Sequence, residues 1–252
     1  MTTPDYLIPM EALHNLRAVE GYTTASGARM RDGRLYRAGA WERTTEADRV
    51  WLDANVTTIL DLRHPDEVNG AVEYRLDEPP SSVVFHSIFR TEVPLAEFTA
   101  ELNGLHGSAI SADRYLHYLK VGAADRFARG IELLAEDERY PVLINCTAGK
   151  DRTGILVAMA MELIGIDDET IAHEYERSNA DIDGLIGYLE AVGRTPQGTR
   201  EEMRARMETP ADKMLGFLEG VRAEHGSVSD LLASNGVADD TFDALRKRLL
   251  ED

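Results

Sequence analysis

The stretch PVLINCTAGKDRTG, residues 141–154, changes character halfway along. Its first residues, up to Asn145, are mostly apolar and are typical of a buried strand. From Thr153 the sequence favours a helix that continues to Leu163. The residues between strand and helix must turn sharply, and Gly149 permits backbone conformations that other residues avoid. A strand, a tight turn and a helix in this order predict an α/β fold built on parallel strands.

The rest of the chain alternates between strand-like and helix-like segments. The strand-like segments are rich in β-branched residues, and the helix-like ones begin at residues that cap helix N-termini. The predicted elements are strands at 34–37, 56–62 and 83–89, a helix opened by Thr44–Asp48, a loop at Asn103–Gly104, a long helix from Ser111 or Asp113 to Leu134, a helix at 168–178, and two or three short helices over 213–250. The pattern predicts a mainly parallel central sheet flanked by helices, with a helical C-terminal part.

The length of 252 residues suits one large domain or two small ones. We predict a single domain, residues 1–252, in which the charged and glycine-interrupted segment 179–212 is a candidate lid insertion. Its apolar side chains, from Ile182 to Met207, could form the inner face of that lid or pack permanently on the domain. The oligomeric state stays open.

The net charge of −18 argues against general nucleic-acid binding, which requires a basic surface. No apolar run approaches the length of a membrane span, and we expect no transmembrane segment. The first ten residues, MTTPDYLIPM, lack the basic and apolar regions of a signal peptide. The single cysteine excludes a disulfide within the chain. Together these features predict a cytoplasmic protein, with secretion without a recognisable signal as the alternative.

The turn between strand and helix has the composition of an anion site. Successive backbone N–H groups in such a turn point inward, and the positive helix N-terminus lies behind them. Arg152 can add a fork of donors that matches two phosphate oxygens. A positive field of this kind favours the thiolate form of Cys146. A thiolate at the base of a phosphate cradle predicts attack on phosphorus, a cysteinyl-phosphate intermediate and its hydrolysis.

This turn has two other interpretations. Cys146 could be a buried structural cysteine beside an incidental arginine, since free cysteine is often buried. A nucleotide-binding P-loop is disfavoured because Asp151 follows Gly149-Lys150 where that motif requires serine or threonine. The convergence of cysteine, glycine, lysine and arginine at one strand-to-helix junction favours the phosphate cradle.

NCTAGKDRTG, residues 145–154, resembles the HCxxGKDRTG phosphate loop of the bacterial tyrosine phosphatase-like family. Members of that family act as dual-specificity and phosphoinositide phosphatases. Other segments resemble family motifs in the same order, namely HNLRAVEGY (14–22), GRLYRAGAW (33–41), DLRHPDEV (61–68), HEYERS (173–178) and GSVSDLLASNGV (226–237). The resemblance implies a tyrosine-phosphatase-like fold and cysteine-dependent hydrolysis of phosphomonoesters.

The resemblance also implies roles for individual residues. Cys146 corresponds to the nucleophile, and Arg152 to the phosphate clamp. Thr153 corresponds to the hydroxyl that supports the departing thiol. The residues that would bind phosphate through the loop are Thr147, Ala148, Gly149, Lys150, Asp151 and Arg152. Lys150 could in addition contact a second anionic group of the substrate.

Two aspartates compete for the role of general acid and base. The resemblance makes Asp151 a candidate, and Asp61 is its rival because the end of its strand could bring it, with Arg63, to the same opening. The alternative for Asp61 and Arg63 is a structural ion pair. Asn145 replaces the histidine of the family loop and, like Arg63, is a possible substrate contact.

Arg17 and Arg37 are expected to be structural. The seven histidines show no metal-binding spacing, so we expect neither a metal nor another cofactor. The substrate could be a phosphotyrosine-like ester, a phosphoinositide or a phosphorylated small molecule such as a nucleotide. A phosphate-binding pseudophosphatase, an arsenate reductase and a sulfurtransferase remain alternatives.

Overall fold

The computed structural model describes residues 4–42, 44–69, 82–106, 111–191, 193 and 197–251. The strands are β1 (Arg17–Ala18), β2 (Arg29–Met30), β3 (Leu35–Ala38), β4 (Thr58–Asp61), β5 (Ser82–Phe85), β6 (Val142–Asn145) and β7 (Leu250–Glu251). The helices are α1 (Glu46–Asn55), α2 (Pro65–Asn69), α3 (Leu95–His106), α4 (Ala112–Tyr118), α5 (Ala124–Ala135), α6 (Asp151–Leu163), α7 (Asp168–Glu176), α8 (Ile182–Ala191), α9 (Arg200–Met207), α10 (Ala211–His225), α11 (Val228–Ser234) and α12 (Asp239–Leu249).

Five strands form the central sheet in the order β1-β3-β6-β4-β5. Four neighbouring strands, β3, β6, β4 and β5, are parallel to one another, and β1 is antiparallel at one edge. Asn145, the last residue of β6, pairs in register with Ala38 on one side and Asp61 on the other. The three strands therefore end side by side, and the segments that follow them meet at one edge of the sheet.

The two faces of the sheet are covered by different elements. Successive residues of a strand point to opposite faces, so Leu143 packs with Ile59 and with Leu52 of α1, whereas Ile144 joins the larger core. That larger core contains α6, whose residues 153–161 are all buried, together with side chains of α4, α5, α7 and α10–α12. The helix that follows the turn is thus held along most of its length, which fixes its N-terminus at the sheet edge.

The predicted α/β fold with a mainly parallel sheet is confirmed. Thr45 caps α1, and its hydroxyl accepts a hydrogen bond from the Asp48 amide, as the sequence predicts. Three helices, α10–α12, occupy the predicted helical C-terminal part. None of the described helices combines the length and the apolarity needed to cross a bilayer.

Three details of the predicted elements are wrong. Asn103–Gly104 lies inside α3 instead of in a loop, because Phe98 and Leu102 anchor that helix in the core. The long helix does begin after Ser111, but it is broken at 119–123, where Gly122 has a φ of 96°. The strand predicted at 83–89 is only the short β5.

The candidate lid segment forms two helices, α8 and α9. Ile182 and Ile186 of α8 pack against Met203 and Met207 of α9 in a small apolar cluster of their own. Residues 192 and 194–196 of the segment lie outside the described residues.

Candidate active site

The turn of residues 146–152, called the phosphate loop below, lies against the end of β3. Gly149 has a φ of +65°, in the left-handed region that favours glycine. A Cβ atom at this position would lie 2.1 Å from the carbonyl oxygen of Ala38. Only glycine fits both the backbone conformation and the close approach, which is why the turn can be this tight.

The carbonyl groups of the phosphate loop are bound from outside. The Asn15 side chain donates to the carbonyls of Ala148 and Gly149, both at 3.1 Å. Arg37 donates to the carbonyls of residues 149 and 150 at 2.8 and 3.3 Å, and the Ala40 amide donates to that of residue 147 at 3.1 Å. In a planar trans peptide the N–H points opposite to the C=O. The N–H groups of residues 148–151 are therefore directed away from these donors.

Buried ion pairs hold these donors in place. Glu174 of α7 accepts from Arg17 at 2.8 Å and from Arg37 at 2.5 Å, and all three side chains are at most 1% exposed. Burial lowers the pKa of Arg17 to about 10, against the attraction of Glu174. The same two arginines outweigh burial at Glu174 and lower the pKa of its carboxyl. Arg17 donates to the Asn15 side chain and Arg37 to the loop carbonyls, so both arginines help to orient the loop as well as the N-terminal segment in which they lie.

The predicted nucleophile and clamp come together in the loop. Cys146 follows β6 directly and is only 2% exposed. Arg152 lies in the first turn of α6, and its guanidinium carbon is 5.2 Å from the centre of the Phe89 ring. Burial opposes the charge of Arg152, but the attraction of Glu67 and of Cys146 raises its pKa above the ordinary value. Cys146 thus faces a cation that stays charged at any physiological pH.

Glu67 is a site residue to which the sequence analysis assigns no role. Its carboxylate accepts from both terminal nitrogens of Arg152, at 2.5 and 2.7 Å, and from the Thr147 hydroxyl at 2.5 Å. Burial disfavours this carboxylate, but the Arg152 charge and these bonds outweigh burial and lower the pKa of Glu67 to about 2. The sequence signal for Glu67 was its place as the last acid of the DLRHPDE segment. This acid lies in the first turn of the short helix α2.

Asp61 and Arg63 lie apart from the loop contacts, in a second buried network. Asp61 is fully buried and accepts from Arg63 at 2.6 Å and from the Trp41 indole at 3.0 Å. Arg63 also donates to Glu42 at 2.7 Å, and Glu42 accepts from Tyr188 of α8 at 2.7 Å. This geometry is that of the structural ion pair that the sequence left as the alternative.

Asp151 lies at the opening of the loop, as the first residue of α6. Its side chain is 22% exposed, and Oδ1 accepts a hydrogen bond of 2.5 Å from the Tyr115 hydroxyl. Lys150 lies beside it, with Nζ 3.9 Å from Asp151 Oδ2 and 2.5 Å from the Met207 carbonyl, to which it donates. The end of α9 therefore covers Lys150 in this structure.

Thr153 and Asn145 are both deeply buried. Within the described part of the chain, the Thr153 hydroxyl has no hydrogen-bond partner, and the bond to sulfur implied by the resemblance is not formed. The Asn145 amide is likewise without a partner among the described residues, and Asn145 is fully buried at the end of β6. Asn145 and Arg63 are both buried in this structure, and their contact with a substrate stays a prediction.

A metal centre is not part of the arrangement as far as the chain is described. Over those residues, no three His, Cys, Asp or Glu side chains are grouped so that they could hold an ion. The chemistry that the site can perform follows from one thiol, one clamped arginine, a row of amides and a partly exposed carboxyl.

Comparisons with known proteins show which family the chain resembles. The tyrosine phosphatase family model matches residues 8–251. The triple specificity protein phosphatase PtpB of Mycobacterium tuberculosis is 28% identical over 255 residues, which cover 92% of this chain and 88% of that protein. A tyrosine-protein phosphatase of Nostoc commune is 26% identical over 214 residues, which cover 82% of this chain and 71% of that protein.

Solved structures include more distant matches. The core catalytic domain of the PP-IP phosphatase SIW14 from S. cerevisiae has a TM-score of 0.39 and 15% identity, covering 87% of this chain and 96% of that one. P. aeruginosa TpbA has a TM-score of 0.34 and 19% identity, covering 74% of this chain and 96% of that one. The assignment rests on the family model, which spans nearly the whole chain and includes every residue of the phosphate loop. The chain belongs to the tyrosine phosphatase family and is a phosphatase.

Proposed function

We propose that this phosphatase hydrolyses phosphomonoesters through a cysteinyl-phosphate intermediate on Cys146. One observation carries the proposal. The carbonyls of residues 147–150 are bound by Asn15, Arg37 and the Ala40 amide, so the N–H groups of 148–151 are directed away from these donors, and we infer that they face the space beside Cys146 and Arg152. Amides and a guanidinium arranged in this way stabilise the charge that develops on a transferring phosphoryl group.

In the first step the Cys146 thiolate attacks phosphorus. The sulfur–phosphorus bond forms while the bond from phosphorus to the ester oxygen breaks, and Asp151 gives its proton to that departing oxygen. In the second step a water molecule attacks phosphorus and transfers a proton to Asp151. The sulfur–phosphorus bond breaks, inorganic phosphate is released, and the thiolate is regenerated. The unpartnered Thr153 hydroxyl is available to donate to that sulfur as it leaves.

We assign the acid–base role to Asp151 and not to Asp61. Asp151 lies in the phosphate loop and retains contact with solvent, whereas Asp61 is fully buried and bound by Arg63 and Trp41. A general acid must reach the leaving oxygen directly or through one water molecule. Only the position of Asp151 supports that reach without rearrangement of a buried ion pair.

The substrate class follows from the opening of the loop. Lys150 and Lys213 both lie there, and each donates to a carbonyl at the end of α9. Lys150 donates to Met207 at 2.5 Å, and Lys213 donates to Glu208 at 2.6 Å. When the lid segment 179–212 moves, these ammonium groups become available to anionic parts of a substrate. This supports phosphotyrosine-like esters flanked by acidic groups, phosphoinositides and small phosphorylated metabolites. PtpB, described as a triple specificity protein phosphatase, shows that a relative is not confined to one substrate type.

The test is hydrolysis of para-nitrophenyl phosphate by the native protein and by Cys146→Ser. We expect turnover that vanadate inhibits, that EDTA leaves intact, and that Cys146→Ser abolishes. Turnover that is lost on chelation and restored by a divalent metal would contradict the mechanism. Phosphate or vanadate binding without any turnover would favour the phosphate-binding pseudophosphatase, and thiosulfate turnover would favour a sulfurtransferase.

A further inference from the structure

The carboxyl group of Asp151 is held by a chain of two buried phenols. The Tyr115 hydroxyl of α4 lies 2.5 Å from Asp151 Oδ1, and the Tyr175 hydroxyl of α7 lies 2.7 Å from the Tyr115 hydroxyl. Tyr115 is 0% and Tyr175 1% exposed. Neither phenol belongs to the phosphate loop, and the mechanism above uses neither.

We propose that Tyr115 is a positioning residue for the acid–base carboxyl, that it confines the transferable proton to Asp151 Oδ2, and that Tyr175 holds Tyr115 in this role. The inference rests on the proposed function of Asp151. It adds a function for two side chains that approach the site from separate helices.

The direction of each hydrogen bond follows from proton counting. Each phenol carries one proton, and an ionised carboxylate carries none. Since Oδ1 must accept, Tyr115 donates to it, and Tyr175 then donates to the Tyr115 oxygen. Burial, followed by the nearby Asp151 charge, raises the pKa of Tyr115 well above its ordinary value, and the same two causes raise that of Tyr175. Both phenols therefore stay protonated throughout the catalytic cycle.

The packing around the phenols fixes their geometry. The Tyr115 ring meets Tyr175 and Phe217 edge to face, with ring centres 6.3 and 6.2 Å apart. Gly154, the last glycine of the quoted motif, belongs to the same arrangement. A Cβ atom there would lie 2.8 Å from the Tyr175 ring. The absence of a side chain at Gly154 therefore leaves room for the Tyr175 ring, which supports Tyr115.

The hydrogen bond from Tyr115 determines which carboxyl oxygen of Asp151 carries the proton. With Oδ1 occupied as an acceptor, the proton of the acid form is carried on Oδ2. Oδ2 is the oxygen that lies 3.9 Å from Lys150, at the opening of the loop. A carboxyl that could rotate freely would present its proton on either oxygen and in several directions. The phenol chain removes that freedom and so preorganises proton transfer to the leaving group.

The test uses Tyr115→Phe, which keeps the ring and removes the hydroxyl. For phenyl phosphate, whose leaving oxygen needs a proton, we expect kcat/KM to fall about tenfold, a fraction of what a general acid contributes. For 2,4-dinitrophenyl phosphate, whose leaving group departs without one, we expect a change of less than about twofold.

The pH dependence provides a second readout. Removing a hydrogen-bond donor to a carboxylate disfavours the ionised form of that carboxylate. The alkaline limb of the kcat/KM profile should therefore move to higher pH in Tyr115→Phe. Tyr175→Phe should shift it in the same direction by less. Lys150, Lys213 of α10 and Tyr118 of α4 also face Asp151 and are unchanged in both variants.

Tyr140→Phe is the matched control. It also removes a buried phenol hydroxyl, one bonded to the Leu134 carbonyl at 2.5 Å, but it precedes the opposite end of β6. We expect it to leave both kcat/KM values and the profile unchanged. Equal losses on the two esters with an unshifted profile, in Tyr115→Phe and in Tyr175→Phe, would overturn the inference while leaving the proposed function standing. No turnover of either ester by the native protein would overturn the proposed function and this inference with it.

Discussion

Arg152 is a cation whose side chain is only 11% exposed, and its counter-ion, Glu67, lies 85 positions earlier in the chain. The pair forms two hydrogen bonds, and the carboxylate also accepts from Thr147, so one acid fixes two parts of the phosphate loop. An arginine held in this way keeps its orientation before a phosphate arrives. Less conformational entropy is then lost on binding, which is the advantage of a preorganised site.

Glu67→Gln should destabilise the protein and weaken its activity. Removing one partner leaves the Arg152 charge buried and uncompensated, which costs about 3 kcal/mol of unfolding free energy at pH 7. The exposed pair of Glu132 with Arg129 offers the same substitution as a control, and Glu132→Gln should cost less than about 1 kcal/mol. Urea denaturation of the three proteins measures both values. Equal losses in the two variants would contradict a special role for Glu67.

The contribution of Glu67 should also depend on pH. Its folded-state pKa, about 2, lies below the ordinary 4.5, so the ion pair stabilises the protein fully above about pH 4.5. As the pH falls from there toward 2, the carboxylate takes up a proton and the stabilisation is lost. The difference in unfolding free energy between native protein and Glu67→Gln should therefore shrink between pH 5 and pH 3. A constant difference over that range would show that the charge of Glu67 is not what stabilises the fold.

At the scale of elements, Gly149 and Gly104 differ in whether their position requires glycine. Gly149 ends the turn before α6 with a φ of +65° and contacts the backbone of Ala38. Gly104 lies within α3, where an added Cβ atom would meet nothing within 4 Å. The same residue type is thus required in the loop and dispensable in the helix.

Gly149→Ala and Gly104→Ala should change stability in opposite directions. Alanine at 149 would force apart the loop and β3, so we expect lower stability and loss of phosphatase activity. Alanine at 104 should raise the unfolding free energy by about 0.5–1 kcal/mol, because alanine favours the helix and restricts the unfolded chain. Thermal denaturation and the aryl phosphate assay check both expectations. A stable and active Gly149→Ala variant would mean that the loop tolerates a side chain at this turn.

At the scale of the whole molecule, α8 and α9 differ from the rest of the structure. Their apolar cluster is separate from the main core, and their ionic contacts, from Arg200 and Arg204 to Asp183, are exposed. Contacts from these helices to the rest of the chain include the bond from Lys150 to the Met207 carbonyl, the bond from Tyr188 to Glu42, and the ring contact of Tyr188 with His14. A small separate cluster and exposed ion pairs favour a low free energy of local opening. We propose on this basis that the segment acts as a lid.

Hydrogen exchange should detect that opening. We expect amides of α9, residues 200–207, to exchange faster than those of α6, residues 151–163. Met203→Ala should accelerate exchange over 182–207 and leave α6 protected, since Met203 belongs to the small cluster and not to the main core. If 200–207 proved as protected as 151–163, the lid segment would be a fixed part of the fold.

The local chemistry of this protein depends on residues that are consecutive in the sequence. The strand ending at Asn145, the turn at Gly149 and the helix after it form one continuous stretch, and each depends on neighbours in sequence. Cys146 and Arg152 could therefore be placed together from sequence alone. The resemblance to a known family made their roles specific, and the family assignment confirms the class of enzyme.

The partners of those residues were decided by tertiary structure. Glu67, Tyr115 and Tyr175 come from three other elements, and nothing in their local sequence reveals which side chains they contact. The choice between Asp61 and Asp151 depends on burial, which no spacing pattern reports. Packing of Phe98 and Leu102 likewise overrode the turn signal at Asn103–Gly104. A sequence determines what neighbouring residues can do by themselves. Which distant groups then neutralise, orient or cover them depends on contacts that form only when the chain closes its core.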